Sequence, residues 1–270
     1  MLSLYALAGV RYMELRFFKY QGTGNDFIML NGMENQVELS KQQVRKFCHR
    51  RFGIGADGLI ILKPHAEFNF EMDYYNADGS QSFCGNGSRC AQAFARALGI
   101  ISDKSTFWAI DGAHEGKYDG KWYATKMHDV SKVKLIGEDF LIDTGSPHYI
   151  QFVSQLDELD VYEAGRTIRY SKPFAKEGVN VNFISLIDGV LHVRTYERGV
   201  EAETYSCGTG VTASAIAYLH KHQLWDKEVP IETKGGRLKI MLNREDECSF
   251  KQVWLCGPAE KVFEGVLHLD

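Results

Sequence analysis

Two segments of this chain place a cysteine directly ahead of a glycine-rich turn: Cys84-Gly85-Asn86-Gly87, followed by SRCAQAFARAL, and Cys207-Gly208-Thr209-Gly210, followed by VTASAIAYLH. The runs after them are apolar, Ala-rich and spaced for helices, so each sulfur is expected at a helix N-terminus. There the unpaired N–H groups of the first turn and the positive end of the macrodipole favour thiolate over thiol and offer a socket for a carboxylate. The cysteines are 123 residues apart, close to half the chain, which suggests two similar halves that each bring one thiol to a shared cleft. Such a pair suits proton transfer at a carbon α to a carboxylate. One thiolate removes the proton from one face, the other thiol returns a proton from the opposite face, and the carbon inverts.

The elements that must position these thiols are short strands and a few helices. β-branched and aromatic runs predict strands near 15–20, 27–30, 59–62, 68–75, 106–110, 122–126, 141–143 and 148–152, then 181–186, 190–196, 229–233, 237–242 and 252–256. Helical spacing is read at 40–50, with Ser40 as N-cap, at 87–97 and 209–222, and in a short stretch at 153–157. Many strands around few helices, without a regular βαβ order, predict an α+β fold with mostly antiparallel or mixed sheets. Each half is expected to wrap its sheet around a central helix, the two forming pseudo-symmetric domains with the active site in the cleft between them. A polar stretch at 127–139 sets the expected boundary, giving a first domain at 13–130, to which residues 260–270 return, and a second at 131–260. Residues 1–12 are read as an extension ahead of Met13, too short and too poor in basic residues for a signal peptide.

Bulk properties narrow the function further. With 270 residues, 44% hydrophobic and 24% charged, the chain has ample core, and a net charge of −4 without a basic cluster argues against nucleic acid as partner. No run approaches the roughly 20 apolar residues of a membrane span. Six cysteines without C-x-x-C spacing, in a chain read as lacking a secretion signal, predict reduced thiols in the cytoplasm and no metal. Cys48, Cys90, Cys248 and Cys256 are taken as inert buried groups. A regulated disulfide between Cys84 and Cys207, in a non-catalytic redox sensor, is the competing reading. Redox pairs, however, usually sit close in sequence within a βαβ pattern. Gly53-Ile-Gly55-Ala-Asp-Gly58 fits G-x-G-x-x-G, but a helical run precedes it and a strand-like run follows, the reverse of a dinucleotide fingerprint, so a structural turn explains it.

The polar segments at 19–27, 76–87, 143–150, 177–184 and 194–199 read as loops lining a pocket for a small molecule, and three of them present Asn25, Asn76 and Asn180. Asn donates to a carboxylate and accepts from an ammonium without adding charge.

Taken in order, GTGNDF, RRFGIGADGL, NADGS, CGNGSRC, GSPH, GVNVNF, RTYERG and CGTG resemble the motifs of diaminopimelate epimerases, over residues 19–257. Proline and hydroxyproline racemases share the two-thiol plan and give the alternative activity, whereas phenazine-biosynthesis isomerases of the superfamily lack the thiol pair. The resemblance implies a cofactor-independent isomerase that interconverts LL- and meso-2,6-diaminoheptanedioate on the route to lysine and peptidoglycan. It implies Cys84 and Cys207 as the acid/base thiols, with His148 and Glu197 beside them to help move their protons. Gly85, Asn86, Gly208 and Thr209 would offer backbone N–H groups to the carboxylate on the reacting carbon. Arg198, Asn76 and Asn180 would hold the distal carboxylate and amine, Glu197 and Asn25 would add substrate contacts, and the chain would form a homodimer. The chain departs from the family pattern at Ser146, where many members have Asn, and at Gly58, where some have Gln; no role is carried to either.

Overall fold

Runs of β-branched and aromatic residues broken by turn chemistry become eighteen strands and four helices among the described residues, which are 3–7, 10–34 and 37–269 of this computed structural model. The chain divides into two units, Met1–Tyr123 with Ala259–Asp270, and Ala124–Pro258. Of the segment read as an extension, residues 1, 2, 8 and 9 lie outside the described residues.

In the first unit, β1 (Ser3–Leu7) pairs antiparallel with the start of β2 (Val10–Gly22), which turns through Thr23 and Gly24 into β3 (Asn25–Asn31). Helix α1 (Lys41–Cys48) then connects β3 to a parallel neighbour, β4 (Gly58–Lys63). A hairpin gives β5 (Phe70–Asn76), and α2 (Gly85–Ala97) carries the chain to the parallel strand β6 (Lys104–Ala109) and its hairpin partner β7 (Gly112–Tyr118). Ser40 caps α1 in a capping box with Gln43. Both faces of the sheet are covered. Phe27, Met29, Ile60 and Leu62 pack with Cys90, Ala91 and Phe94 of α2, while the alternate residues Ile28, Leu30, Leu59 and Ile61 pack with Val44 and Phe47 of α1. The two-residue period of a strand therefore explains why these segments read as unbroken apolar runs.

The second unit repeats the order. It opens with β8 (Tyr123–Lys126), whose first residue ends the first unit, followed by β9 (Val133–Ile136), β10 (Asp139–Asp143) and β11 (Pro147–Phe152), the last three an antiparallel meander. Helix α3 (Val161–Arg169) links β11 to the parallel β12 (Asn180–Ile187), which pairs antiparallel with β13 (Val190–Glu197). After the short β14 (Ala202–Thr204), α4 (Gly208–Lys221) leads to β15 (Glu228–Thr233), parallel to β13, and on to β16 (Gly236–Arg244) and β17 (Phe250–Gly257). β18 (Glu260–Leu269) belongs to the first unit, antiparallel to β2.

Each unit thus contains two parallel pairs bridged by helices, alternating with hairpins, and the fold is α+β with mixed sheets. The strand β12 has two chemistries. Val181 and Phe183 pack under α3 with Val161 and Tyr196, whereas Asn180 and Asn182 belong to the opposite face. Helix α2 packs on β2, β3, β4, β5 and β18, and α4 on β10, β11, β12, β13, β15, β16 and β17. Almost every residue of α4 from Gly208 to Leu219 is buried, as expected of a helix apolar on all sides.

The helix expected at 153–157 is not there; turns occupy it, and the helix begins at Val161, capped by the Asp160 side chain. Gly165 in its middle weakens the sequence signal, yet a Cβ there would collide with Cβ of Tyr196, so the glycine lets α3 lie directly on β13. No described helix is long and apolar enough to cross a membrane.

Candidate active site

Cys84 is the N-cap residue of α2, with extended backbone angles, and its Sγ accepts the N–H of Gly87 at 3.3 Å. Gly85 and Asn86 follow as the first two helical residues, both buried. Asn25, at the start of β3, places its Oδ1 3.6 Å from Cys84 Sγ and 3.4 Å from Asn86 Nδ2. Two charged groups fix these amides. Asp57 Oδ2 accepts Asn25 Nδ2 at 2.6 Å, and the fully buried Arg89 donates to Asn86 Oδ1 at 3.0 Å and to Thr23 Oγ1 at 3.2 Å. The Asp57 carboxylate is in turn held by Arg50 at 2.6 Å and by the Asp26 N–H at 3.2 Å. Burial acts against ionisation of Asp26, but hydrogen bonds and charges from Arg50 and Lys19 hold its carboxyl down at about 2.

Cys207 is the N-cap residue of α4, also with extended backbone angles, but its side chain makes no cap hydrogen bond; its Sγ lies 3.5 Å from Thr209 Oγ1. Thr209 Oγ1 in turn lies 2.9 Å from Nε2 of His148, which is completely buried. Asn182 donates to Nδ1 of that ring at 3.0 Å, and its amide orientation is set by the Tyr149 carbonyl, which accepts the same NH₂ at 3.2 Å. Nδ1 is therefore the acceptor nitrogen and the ring proton sits on Nε2, which faces the hydroxyls of Thr209 and Ser146. Burial first, and then the Arg198 charge, push the His148 pKa down to about 3, so the ring is neutral at physiological pH. Gly210 lets this layer form, because a Cβ on it would run into Asn182 Oδ1 and lie 3.2 Å from His148 Cε1.

The comparisons with known proteins agree with this repetition of one centre in each unit. Residues 17–113 and 140–262 match the sequence profile of the diaminopimelate epimerases, one cysteine centre falling in each segment. The chain is 44% identical to a diaminopimelate epimerase of Flavobacterium psychrophilum, covering 93% of this chain and 99% of the other, and 37% identical to that of Aquifex aeolicus, covering 94% and 98%. The chain belongs to the diaminopimelate epimerase family. Its fold extends to distant structures, among them a Bacillus anthracis phenazine biosynthesis protein of the PhzF family and a hydroxyproline epimerase of Agrobacterium vitis with bound trans-4-hydroxy-L-proline. These have TM-scores of 0.73 and 0.70, each at 14% identity, with 94% and 95% of this chain and 99% and 92% of those chains covered.

The other residues expected at a diaminopimelate epimerase site fall into the same two neighbourhoods or at their margins. Asn180 lies beside His148, accepting the Arg198 N–H on Oδ1 at 2.8 Å and reaching Ser146 Oγ with Nδ2 at 3.3 Å. Arg198 itself, half-buried just past β13, donates to the Glu177 carbonyl at 2.9 Å, and Glu197 ends that strand. Asn76 ends β5, with its amide spent on Ser80 and Ser82 and its Oδ1 accepting the Tyr74 hydroxyl. Ser146, to which no role was carried, stands 3.0 Å from His148 Nε2 and 3.2 Å from Thr209 Oγ1.

Asp57 and Asn182 are members of the site that the sequence alone does not mark. Asp57 lies within the glycine pattern, which is a turn: the N–H groups of Gly53, Gly55 and Ala56 close back on carbonyls at the end of α1 and just after it. The signal for Asn182 was its i+2 spacing from Asn180, which puts both on one face of a strand. Cys48, Cys90 and Cys256 are buried, with burial pushing Cys48 up to about 12, whereas Cys248 is only half-buried, 4.0 Å from His220. A cavity of about 310 Å³ in the second unit, between Leu156, Arg194 and Lys234, contains none of the expected site residues. Among the described residues no cluster of three metal-ligating side chains occurs.

Proposed function

We propose that this chain interconverts LL- and meso-2,6-diaminoheptanedioate, an isomerase step on the route to lysine, by proton transfer between two cysteine thiols and the α-carbon. The observation that carries the reading is that a chain matching the family over 93% of its length retains a cysteine as N-cap of both central helices.

The chemistry follows from the caps. Loss of the α-proton leaves a carbanion whose charge spreads onto the adjacent carboxylate, so donors aimed at that carboxylate act most strongly in the transition state. The helix N-terminal N–H groups at Gly85, Asn86, Gly208 and Thr209 are assigned this work. Cys84 and Cys207 exchange the proton, one as base and the other as acid, without a metal or pyridoxal phosphate. His148 is neutral and contributes as an N–H donor to Thr209 rather than as a base, while Glu197 is assigned to the substrate ammonium and to support of the thiols. Arg198, with Asn76 and Asn180, is assigned to the distal carboxylate and amine, where a guanidinium gives bidentate recognition of a diacid. Asn25 completes the first neighbourhood. The enzyme is read as cytoplasmic and homodimeric, which sedimentation would test by a particle of twice the chain mass.

The deciding experiment is deuterium wash-in. Fully reduced enzyme incubated with the LL isomer in D₂O is expected to place deuterium at the inverted α-carbon of the meso product. Absence of exchange would remove the enzymatic reading, and equal exchange into proline would move the activity to the proline racemase class.

A further inference from the structure

The turn that follows Glu197 and carries Arg198 is fastened to the end of helix α3. Residues 198–201 link β13 to β14, and Glu201 has a φ of 56°, a left-handed backbone that a glutamate adopts only against a steric cost. Its carboxylate shows what that conformation secures. Oε1 accepts the Gly199 N–H at 3.1 Å, Oε2 accepts the Tyr196 hydroxyl at 3.0 Å, and Nε of Arg169, the last residue of α3, forms an ion pair with Oε1 at 3.4 Å.

Arg169 is unusual for a cation at a helix end. Such arginines complement the macrodipole with the guanidinium in water. The Arg169 side chain is instead 13% exposed, and its Nε and Nη1 are buried without a hydrogen bond, so the Glu201 carboxylate balances a charge that is largely withdrawn from solvent. Gly178 brings this pair to Arg198. A Cβ on Gly178 would lie 2.6 Å from Arg169 Cζ and 2.6 Å from Arg198 Cδ, so the two arginine side chains close over the space that a side chain would fill. Arg198 is held from the same segment, its Nη1 donating to the Glu177 carbonyl at 2.9 Å and its backbone N–H to Asn180 Oδ1 at 2.8 Å.

We propose that Arg169 and Glu201 form a latch that positions Arg198, and that the latch sets how tightly the distal carboxylate of the substrate is gripped. The inference rests on the epimerase reading and deepens it, adding two positioning residues that act through Arg198 rather than on the substrate. Bonds change only at the reacting α-carbon, so the distal carboxylate is the same group in the ground state and the transition state. Its grip is uniform binding, and loosening it raises KM while leaving kcat in place.

The test is steady-state kinetics of the full chain with the LL isomer. Arg169→Met keeps most of the side-chain length and removes the charge; KM should rise about tenfold with kcat within about twofold, as expected for one weakened charge-assisted contact. Glu201→Gln opens the latch from the other side without touching α3 and should raise KM similarly, which decides the matter if Arg169→Met does not fold. Arg169→Lys returns a cation to Glu201 and should bring KM back to within about threefold of the unaltered enzyme. Added to Arg198→Ala, Arg169→Met should lower kcat/KM no further, because its effect passes through Arg198. An unmoved KM in the folded variants, a fall in kcat at fixed KM, or a full further loss on top of Arg198→Ala overturns the proposal. Deuterium wash-in with the unaltered protein separates the two levels: exchange together with an unmoved KM in the variants defeats this inference alone, and no exchange defeats the epimerase reading.

Discussion

The Cys84 and Cys207 centres present one backbone device with two different supports. Both cysteines stand at the N-cap of a central helix with extended backbone, and both lead through C-G-x-G into a first turn that is largely buried, but only the Cys84 sulfur accepts a helix N–H. Behind Cys84 stands a charged lattice of Asp57, Arg50, Asp26 and Arg89; behind Cys207 stands a neutral layer of Thr209, His148, Ser146, Asn180 and Asn182. A repeated fold therefore conserves where a thiol is placed while leaving open how its proton is held.

The largest effect expected on this comparison comes from the sulfurs themselves. Cys84→Ser and Cys207→Ser should each lower epimerisation by about a thousandfold or more, because an alcohol is far too weak an acid to replace a thiol at neutral pH. Both variants should keep the native circular dichroism spectrum and melting behaviour. Turnover near the unaltered rate in either one would strike that cysteine from the proton-transfer pair.

Next comes Thr209→Val, which preserves shape and removes the hydroxyl between His148 and Cys207. Were the Thr209 hydroxyl to donate to a thiolate at Cys207, its loss would correspond to about 1.5 to 3 kcal/mol, or roughly ten- to a hundredfold in rate. The loss should be partly recovered as pH rises, because the thiolate is then formed without the donor. A pH-independent loss would mean that Thr209 serves packing rather than the sulfur.

His148 sharpens the contrast through stability. Its folded pKa, about 3, lies below the ordinary value of 6.5, so between those values the unfolded chain binds the extra proton and the native one does not. The contribution is fully present above pH 6.5 and is lost as pH falls toward 3, at about 1.4 kcal/mol per pH unit. Denaturant titrations at pH 7 and pH 5 should therefore show a fall of about 2 kcal/mol that is absent in His148→Gln. An equal fall in the variant would place the titrating group elsewhere.

How much of this could be read in the chain depends on the range over which the information acts. The caps were legible because Cys84 and Cys207 sit one residue from the glycines and helices they serve, and Ser40 with Gln43 is equally local. The parallel strand pairs were not, since β3 meets β4 and β13 meets β15 only through a helix, and no spacing announces it. Helix α3 was hidden by Gly165, whose purpose lies 31 residues away at Tyr196. β7, with the sequence GAHEGKY, lacks the apolar alternation of a strand and exists because β6 offers it an edge. Asp57 and Asn182 failed for the same reason: the partners that give them meaning, Asn25 and His148, are distant in sequence, and an amide's orientation is a property of its neighbours rather than of its type.

The smallest effect tests the direction of the Cys207 chain. Nε2 of His148 has two hydroxyls in reach, Thr209 at 2.9 Å and Ser146 at 3.0 Å, and distance alone does not rank them. Removal of Ser146 Oγ leaves the ring N–H with Thr209 and leaves Asn180 with the Pro147 carbonyl at 3.4 Å. Ser146→Ala should therefore reduce kcat only about threefold, the worth of one neutral hydrogen bond of 0.5 to 1 kcal/mol, with an unchanged pH profile. If Ser146→Ala instead matched Thr209→Val in size and in pH dependence, the imidazole proton would belong to Ser146 rather than to Thr209, and the layer behind Cys207 would be held through Ser146.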